Sequence, residues 1–139
     1  MVDAVQSAVS WINQRRGSGW RETHFENALA QQMRAQGLFV VQQPVVPATL
    51  CLSTGIEVQV GALRPDLLVR TSQNGVDIDQ FYIEIKISSA QNRTANVTRA
   101  HMDQAEGYAA QTGIPCIAVF FNGDRTAGTH VAVPPHQAN

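Results

Sequence analysis

Three residues in this 139-residue chain have the types and spacing of a hydrolytic site: Asp66, Glu84 and Lys86. From Phe81 to Ser88 the sequence alternates Phe81, Ile83, Ile85 and Ile87 with Tyr82, Glu84, Lys86 and Ser88. A strand has a side-chain period of two, so Glu84 and Lys86 project from one face, opposite the four apolar residues. Asp66 lies eighteen residues earlier, at the start of a second apolar strand, with Asn74-Gly75 as a strong hairpin turn between them. Such a hairpin brings the two carboxylates together. Side by side without a cation, they raise each other's pKa and repel. A divalent ion removes that penalty, and an oxygen-lined site with open positions suits Mg²⁺ or Mn²⁺. The competing account is a salt-bridged Glu84–Lys86 pair with Asp66 as a turn residue, and residue types alone do not separate the two.

The lysine carries extra information. The ten basic residues are nine arginines and one lysine, and the lysine is Lys86 in the middle of an apolar strand. An ammonium there needs a partner. Beside a nucleophilic water it orients that water and stabilises the developing hydroxide, with a pKa that arginine cannot match for mobility. Bulk properties neither add to this nor exclude it. The 44% apolar and 15% charged composition suits a folded soluble domain, and the length suits one domain over 1–139. A net charge of -1 provides no basic field to draw in nucleic acid, so binding must use local arginines or a metal ion. No apolar run approaches a membrane span and no leader is visible, which gives a cytoplasmic expectation. Cys51 and Cys116 each sit in an apolar run and read as two buried thiols rather than a disulfide or zinc site.

The elements that must position these residues follow from periodicity. An N-terminal helix spans about 3–16, with Val5, Ala8, Val9 and Ile12 as one apolar stripe. A second helix runs from about Trp20 to Gln36, with Phe25, Ala28, Leu29 and Met33 on one face and Gly37 closing it. Strands are expected at Leu38–Gln43, around Leu50–Leu52 and Ile56–Val60 as a hairpin, at Asp66–Thr71 and at Phe81–Ser88. A helix over Val97–Gln111 then leads to a fully apolar strand, Pro115–Phe121, expected to be parallel. Outside that series, Thr129–Val133 is a further candidate for a short edge strand. The order expected is α-α-β-β-β-β-β-α-β, an α/β fold in which an antiparallel meander gains a helical crossover.

Arg64-Pro65-Asp66 followed by Glu84-Ile85-Lys86 resembles the PD-(D/E)xK motif of the restriction-endonuclease-like superfamily. Gly19-Trp20-Arg21-Glu22-Thr23-His24-Phe25 is similar to the GxxExxY signature of a group within it, with Phe25 in place of the tyrosine. Glu26 to Ala30 with Gly37-Leu38 resembles that group's first core helix, and Gln104 with Tyr108, then Phe121-Asn122, its last helix and strand. The resemblance covers about 19–123. It implies a mixed central sheet flanked by helices, Mg²⁺ (or Mn²⁺) dependence and phosphodiester cleavage of nucleic acid, with DNA as the expected substrate. The implied metal set is Asp66, Glu84, Ile85 and Glu26.

Several roles remain open at this level. Glu22 occupies the signature position, whereas Glu26 fits the corresponding glutamate of Holliday-junction resolvases in the same superfamily. Four residues apart, both share one helical face. Gln104 is either a residue supporting the lysine or phosphate or a polar helix flank. Arg93 and Arg99, with Arg64 and His101, are candidates for phosphate contacts. Trp11 and Trp20 read as core or interface. The apolar stripe on the first helix suggests a homodimer. The alternative function is a catalytically silent nucleic-acid-binding or protein-interaction module on the same fold.

Overall fold

The computed structural model describes residues 2–17, 19–88, 95–122 and 127–132, excepting the side chains of 2, 88, 95–101, 122 and 127–132. Its helices are α1 (Val2–Arg15), α2 (Glu22–Ala35) and α3 (Ala95–Thr112). Its strands are β1 (Phe39–Gln42), β2 (Val46–Cys51), β3 (Glu57–Leu63), β4 (Leu67–Gln73), β5 (Val76–Ser88), β6 (Cys116–Asn122) and β7 (Ala127–Ala132). The central sheet has the order β1-β4-β5-β6-β7. β5 and β6 run parallel across the α3 crossover, and every other neighbour in that sheet is antiparallel. The result is a mixed α/β architecture, as periodicity leads one to expect.

Asn74 and Gly75 both take positive φ, 54° and 80°, which is the backbone that a two-residue hairpin between right-twisted strands requires. The turn alone would set Leu67 opposite Tyr82, and a one-residue bulge between Thr71 and Ser72 moves the β4–β5 register so that Leu67 faces Ile83. β5 begins at Val76, earlier than Phe81, and the same bulge interrupts the pairing of its outer half. That outer half leaves Val76 and Ile78 exposed. β2 and β3 do not join the meander. They pair only with each other, in a separate two-stranded sheet with a bulge between Ala48 and Thr49. Pro47 is accommodated inside β2, which has a partner on only one side.

Both faces of the central sheet are covered. On one, Val5, Ala8, Val9 and Ile12 of α1 and Phe25, Leu29 and Met33 of α2 pack on Leu67, Val69, Phe81, Ile83, Ile85, Ile117, Val119 and Phe121. Phe25 stacks on Phe121 at 4.4 Å between ring centroids. The α1 stripe is therefore buried within its own chain, so it is not a free surface for a second copy. On the other face, Ala105 and Tyr108 of α3 cover Leu68, Tyr82, Cys116, Ala118 and Phe120. The Tyr82–Glu84–Lys86 face of β5 is thus largely enclosed, where an ordinary half-buried strand would leave it wet. Cys116 is buried but Cys51 is exposed near the end of the β2–β3 hairpin, which corrects the expectation of two buried thiols. Trp11 is exposed beneath the Arg15 guanidinium, while Trp20 packs edge-on against Phe25. Among the described residues, no helix is long and apolar enough to cross a membrane.

Candidate active site

Because Leu67 pairs with Ile83, Asp66 stands opposite Glu84 at the point where β4 begins. The two residues continue the ladder through their side chains. The Asp66 N–H donates to Glu84 Oε1 at 3.1 Å, and the Ile85 N–H donates to Asp66 Oδ2 at 2.6 Å. On its other side, Asp66 is held by the Gln43 N–H, which donates to the Asp66 carbonyl at 2.8 Å. Asp66 retains 8% and Glu84 4% of its accessible surface. Two carboxyl groups are thus placed side by side in a nearly dry position.

Burial is the main electrostatic consequence. It raises the Asp66 carboxyl from 3.8 to about 6, against the lowering effect of the Ile85 N–H, and the nearby Glu22 and Glu26 raise it further. Burial and then the Asp66 charge raise Glu84 from 4.5 to about 8, opposed by the Asp66 N–H and by Lys86. Lys86, half-buried two residues along the same face, lowers both. Its positive charge is therefore felt at both carboxyls, as a lysine serving them requires.

Glu26 reaches the same place from α2. It is 8% exposed, and both its oxygens are held by consecutive glutamines at the end of β1, Gln42 within the strand and Gln43 just past it. Gln43 Nε2 donates to Glu26 Oε1 at 2.6 Å and lies 3.4 Å from Asp66 Oδ1. Gln42 Nε2 donates to Glu26 Oε2 at 3.1 Å and to Asn27 Oδ1 at 2.8 Å. Glu22, one turn earlier, is exposed and bears on Asp66 and Glu84 through charge. Both helix glutamates therefore converge on the site, but Glu26 alone is seated in it. The α2 start is fixed locally by the Arg21 N–H donating to His24 Nδ1 at 2.8 Å.

The remaining candidates are less central. Gln104 is exposed and donates to the Tyr108 hydroxyl at 3.2 Å, so it meets the carboxylates only through that ring. Tyr108 is buried, and its hydroxyl is raised by burial and then by the Glu84 charge. Burial and the same carboxyl push the Cys116 thiol upward. Arg64 is exposed two residues before Asp66. Arg93 lies outside the described residues, as do the side chains of Arg99 and His101. Gln42, Gln43 and Tyr108 are members of the site that residue types did not single out. Glutamine has no distinctive spacing, and only the QxxxY pattern pointed toward Tyr108.

Among the described residues, no three Asp, Glu, His or Cys side chains are gathered into a ready metal cluster. Asp66 and Glu84 spend one oxygen each on the main chain, and an amide stands between Asp66 and Glu26. The donor chemistry nevertheless suits a hard divalent cation. Asp66, Glu84 and Glu26 supply carboxylate oxygens, and a cation would remove the penalty that two buried neighbouring carboxylates impose.

No protein-family model matches the chain, and no curated protein matches it. Among solved structures it is similar to the crystal structure of SSO0001, with a TM-score of 0.58 and 16% sequence identity. The match covers 82% of this chain and 48% of that one, so the chain spans about half the length of that protein. At this identity the likeness concerns the fold alone: an α/β core with a mixed central sheet flanked by helices.

Proposed function

We propose that the chain is a metal-dependent nuclease with a restriction-endonuclease-like core, hydrolysing phosphodiester bonds of nucleic acid, DNA in the first instance. The observation that carries this reading is the pairing of buried Asp66 with buried Glu84, with Lys86 on the same strand face. A structural ion pair would need only Glu84 and Lys86. It would not require a second carboxyl to be enclosed beside the first at an electrostatic cost.

Asp66, Glu84 and Glu26 would hold Mg²⁺ or Mn²⁺, with the main chain of Ile85 at the same strand position. When bound, the ion supplies a Lewis acid that offsets phosphate charge and lowers the pKa of a water. Lys86 then orients the attacking water and stabilises the negative charge that develops on it. Glu22, at the exposed rim, favours cations near the entrance. Gln104 holds the Tyr108 hydroxyl beside Glu84. With a net charge of -1, substrate capture relies on local groups such as Arg64 and on the ion itself.

A second reading rests on the hydrogen bonds that both carboxyls make to main chain. In a catalytically silent module those bonds would be the whole purpose of the pair. Incubation with duplex, single-stranded and branched DNA and with RNA, in Mg²⁺, Mn²⁺ or chelator, separates the two. Cleavage that needs the ion and is lost in Asp66→Ala supports the nuclease. Binding of nucleic acid without cleavage in any ion would favour the silent module.

A further inference from the structure

We propose that Gln43 is a positioning residue of this carboxylate site, its side-chain amide bridging Glu26 and Asp66 and keeping the helix carboxylate beside the strand carboxylate for a divalent cation to draw together. The inference rests on the reading of the site as a metal centre and adds a residue to it. Three contacts carry it. The Gln43 Nε2 donates to Glu26 Oε1 at 2.6 Å and stands 3.4 Å from Asp66 Oδ1, while the Gln43 N–H donates to the Asp66 carbonyl at 2.8 Å. One residue thereby ties the α2 carboxylate to the strand carboxylate through both its side chain and its main chain.

The backbone at this point supports a specific role. Gln43 takes φ of 52°, a left-handed conformation that a residue without special need avoids, and it precedes Pro44. Glycine would adopt the same conformation without steric cost. A side chain kept at such a position is explained by what it touches. An amide NH₂ carries two donors, so it can hold one oxygen of each carboxylate at once. It keeps the like charges from separating. Residues that orient metal-binding groups in this manner change affinity by roughly 10–100-fold when removed. Gln42 differs in kind, since its amide joins Glu26 to Asn27 and does not contact Asp66.

The test is the Mn²⁺ dissociation constant of the full chain, read from the electron paramagnetic resonance signal of free ion and from the rise of Tm with Mn²⁺. Gln43→Gly preserves the left-handed backbone and removes the amide. Its Mn²⁺ affinity is expected to fall at least about tenfold. Gln43→Asn also tolerates the backbone but is one methylene short of bridging, and should behave as the glycine variant does. Gln42→Ala should lose less. Gln43→Glu places another negative group in the cluster, so its ion-free Tm should drop and its gain from Mn²⁺ should exceed the wild-type gain. Wild-type affinity in both Gln43→Gly and Gln43→Asn would overturn the role of Gln43 while leaving the metal centre intact. Failure of the wild type itself to bind Mn²⁺ would overturn both.

Discussion

Glu84→Gln is the substitution whose effect the site determines most closely. Glutamine has nearly the shape of a protonated glutamate, and its carbonyl oxygen can still accept the Asp66 N–H that Glu84 Oε1 now accepts. Only the ability to ionise is lost. In the folded chain the Asp66 carboxyl is raised from 3.8 to about 6 and Glu84 from 4.5 to about 8. Both folded values lie above the unfolded ones, so the folded state binds more protons, and stability falls as pH rises from about 4 through about 8. Each pH unit over which one extra proton is retained costs about 1.4 kcal/mol. Ionising the second of two adjacent carboxyls is the costly step. For Glu84 the interval runs from 4.5 unfolded to about 8 folded, which sets an upper figure of roughly 5 kcal/mol. At pH 5 the folded Glu84 is protonated, and Glu84→Gln should match the wild type to within about 1 kcal/mol. At pH 8 in chelator the variant should be the more stable by several kcal/mol, on the order of 10 °C in Tm for a domain of this size. The assay is thermal unfolding of both proteins at the two pH values, where the difference between them cancels the titration of other groups. Saturating Mn²⁺ at pH 8 should reverse the ranking, because only the wild type retains the full set of carboxylates. A variant destabilised equally at pH 5 and pH 8 would instead show Glu84 to be a well-paired structural carboxylate.

Two other outcomes follow from the same geometry. Glu26→Gln should weaken Mn²⁺ binding about tenfold or more, and Glu22→Gln less than about threefold, because Glu26 is seated while Glu22 acts through solvent-screened charge. Isothermal titration of the two variants checks the order, and equal losses would contradict it. The native protein should take up one maleimide, at exposed Cys51, and a second only after denaturation, because burial holds the Cys116 thiol protonated. Mass spectrometry of the adducts reads this directly.

The parts of the site legible in sequence were those governed by strand period and turn chemistry. Asn74-Gly75 dictates a tight hairpin, and the alternation of Phe81 to Ser88 dictates which residues share a face. The nearness of Asp66 to Glu84 could thus be anticipated, whereas the bulge between Thr71 and Ser72 that sets them directly opposite could not. The stripe of Phe25, Leu29 and Met33 likewise placed α2 against the sheet. Other features depended on tertiary contacts that local pattern does not encode. The Tyr82–Glu84 face reads as wet because it carries polar residues, but Ala105 and Tyr108 of α3 enclose it. The β2–β3 hairpin has the composition of any other hairpin, and nothing local says that it leaves the central sheet. Gln42 and Gln43 become meaningful only when Glu26 and Asp66 are brought to them. The apolar stripe of α1 suggested a second copy, yet it is satisfied by the chain's own core.

In the proposed nuclease, Lys86 would act on the attacking water at a site whose ion is held by other residues. The most direct measurement compares DNA cleavage by the wild type and Lys86→Ala at matched Mn²⁺ occupancy, with occupancy read by electron paramagnetic resonance. Both proteins should bind the ion, while cleavage should fall by about 100-fold or more in Lys86→Ala. Equal cleavage by the two proteins, or none by a wild type saturated with Mn²⁺, would contradict this role.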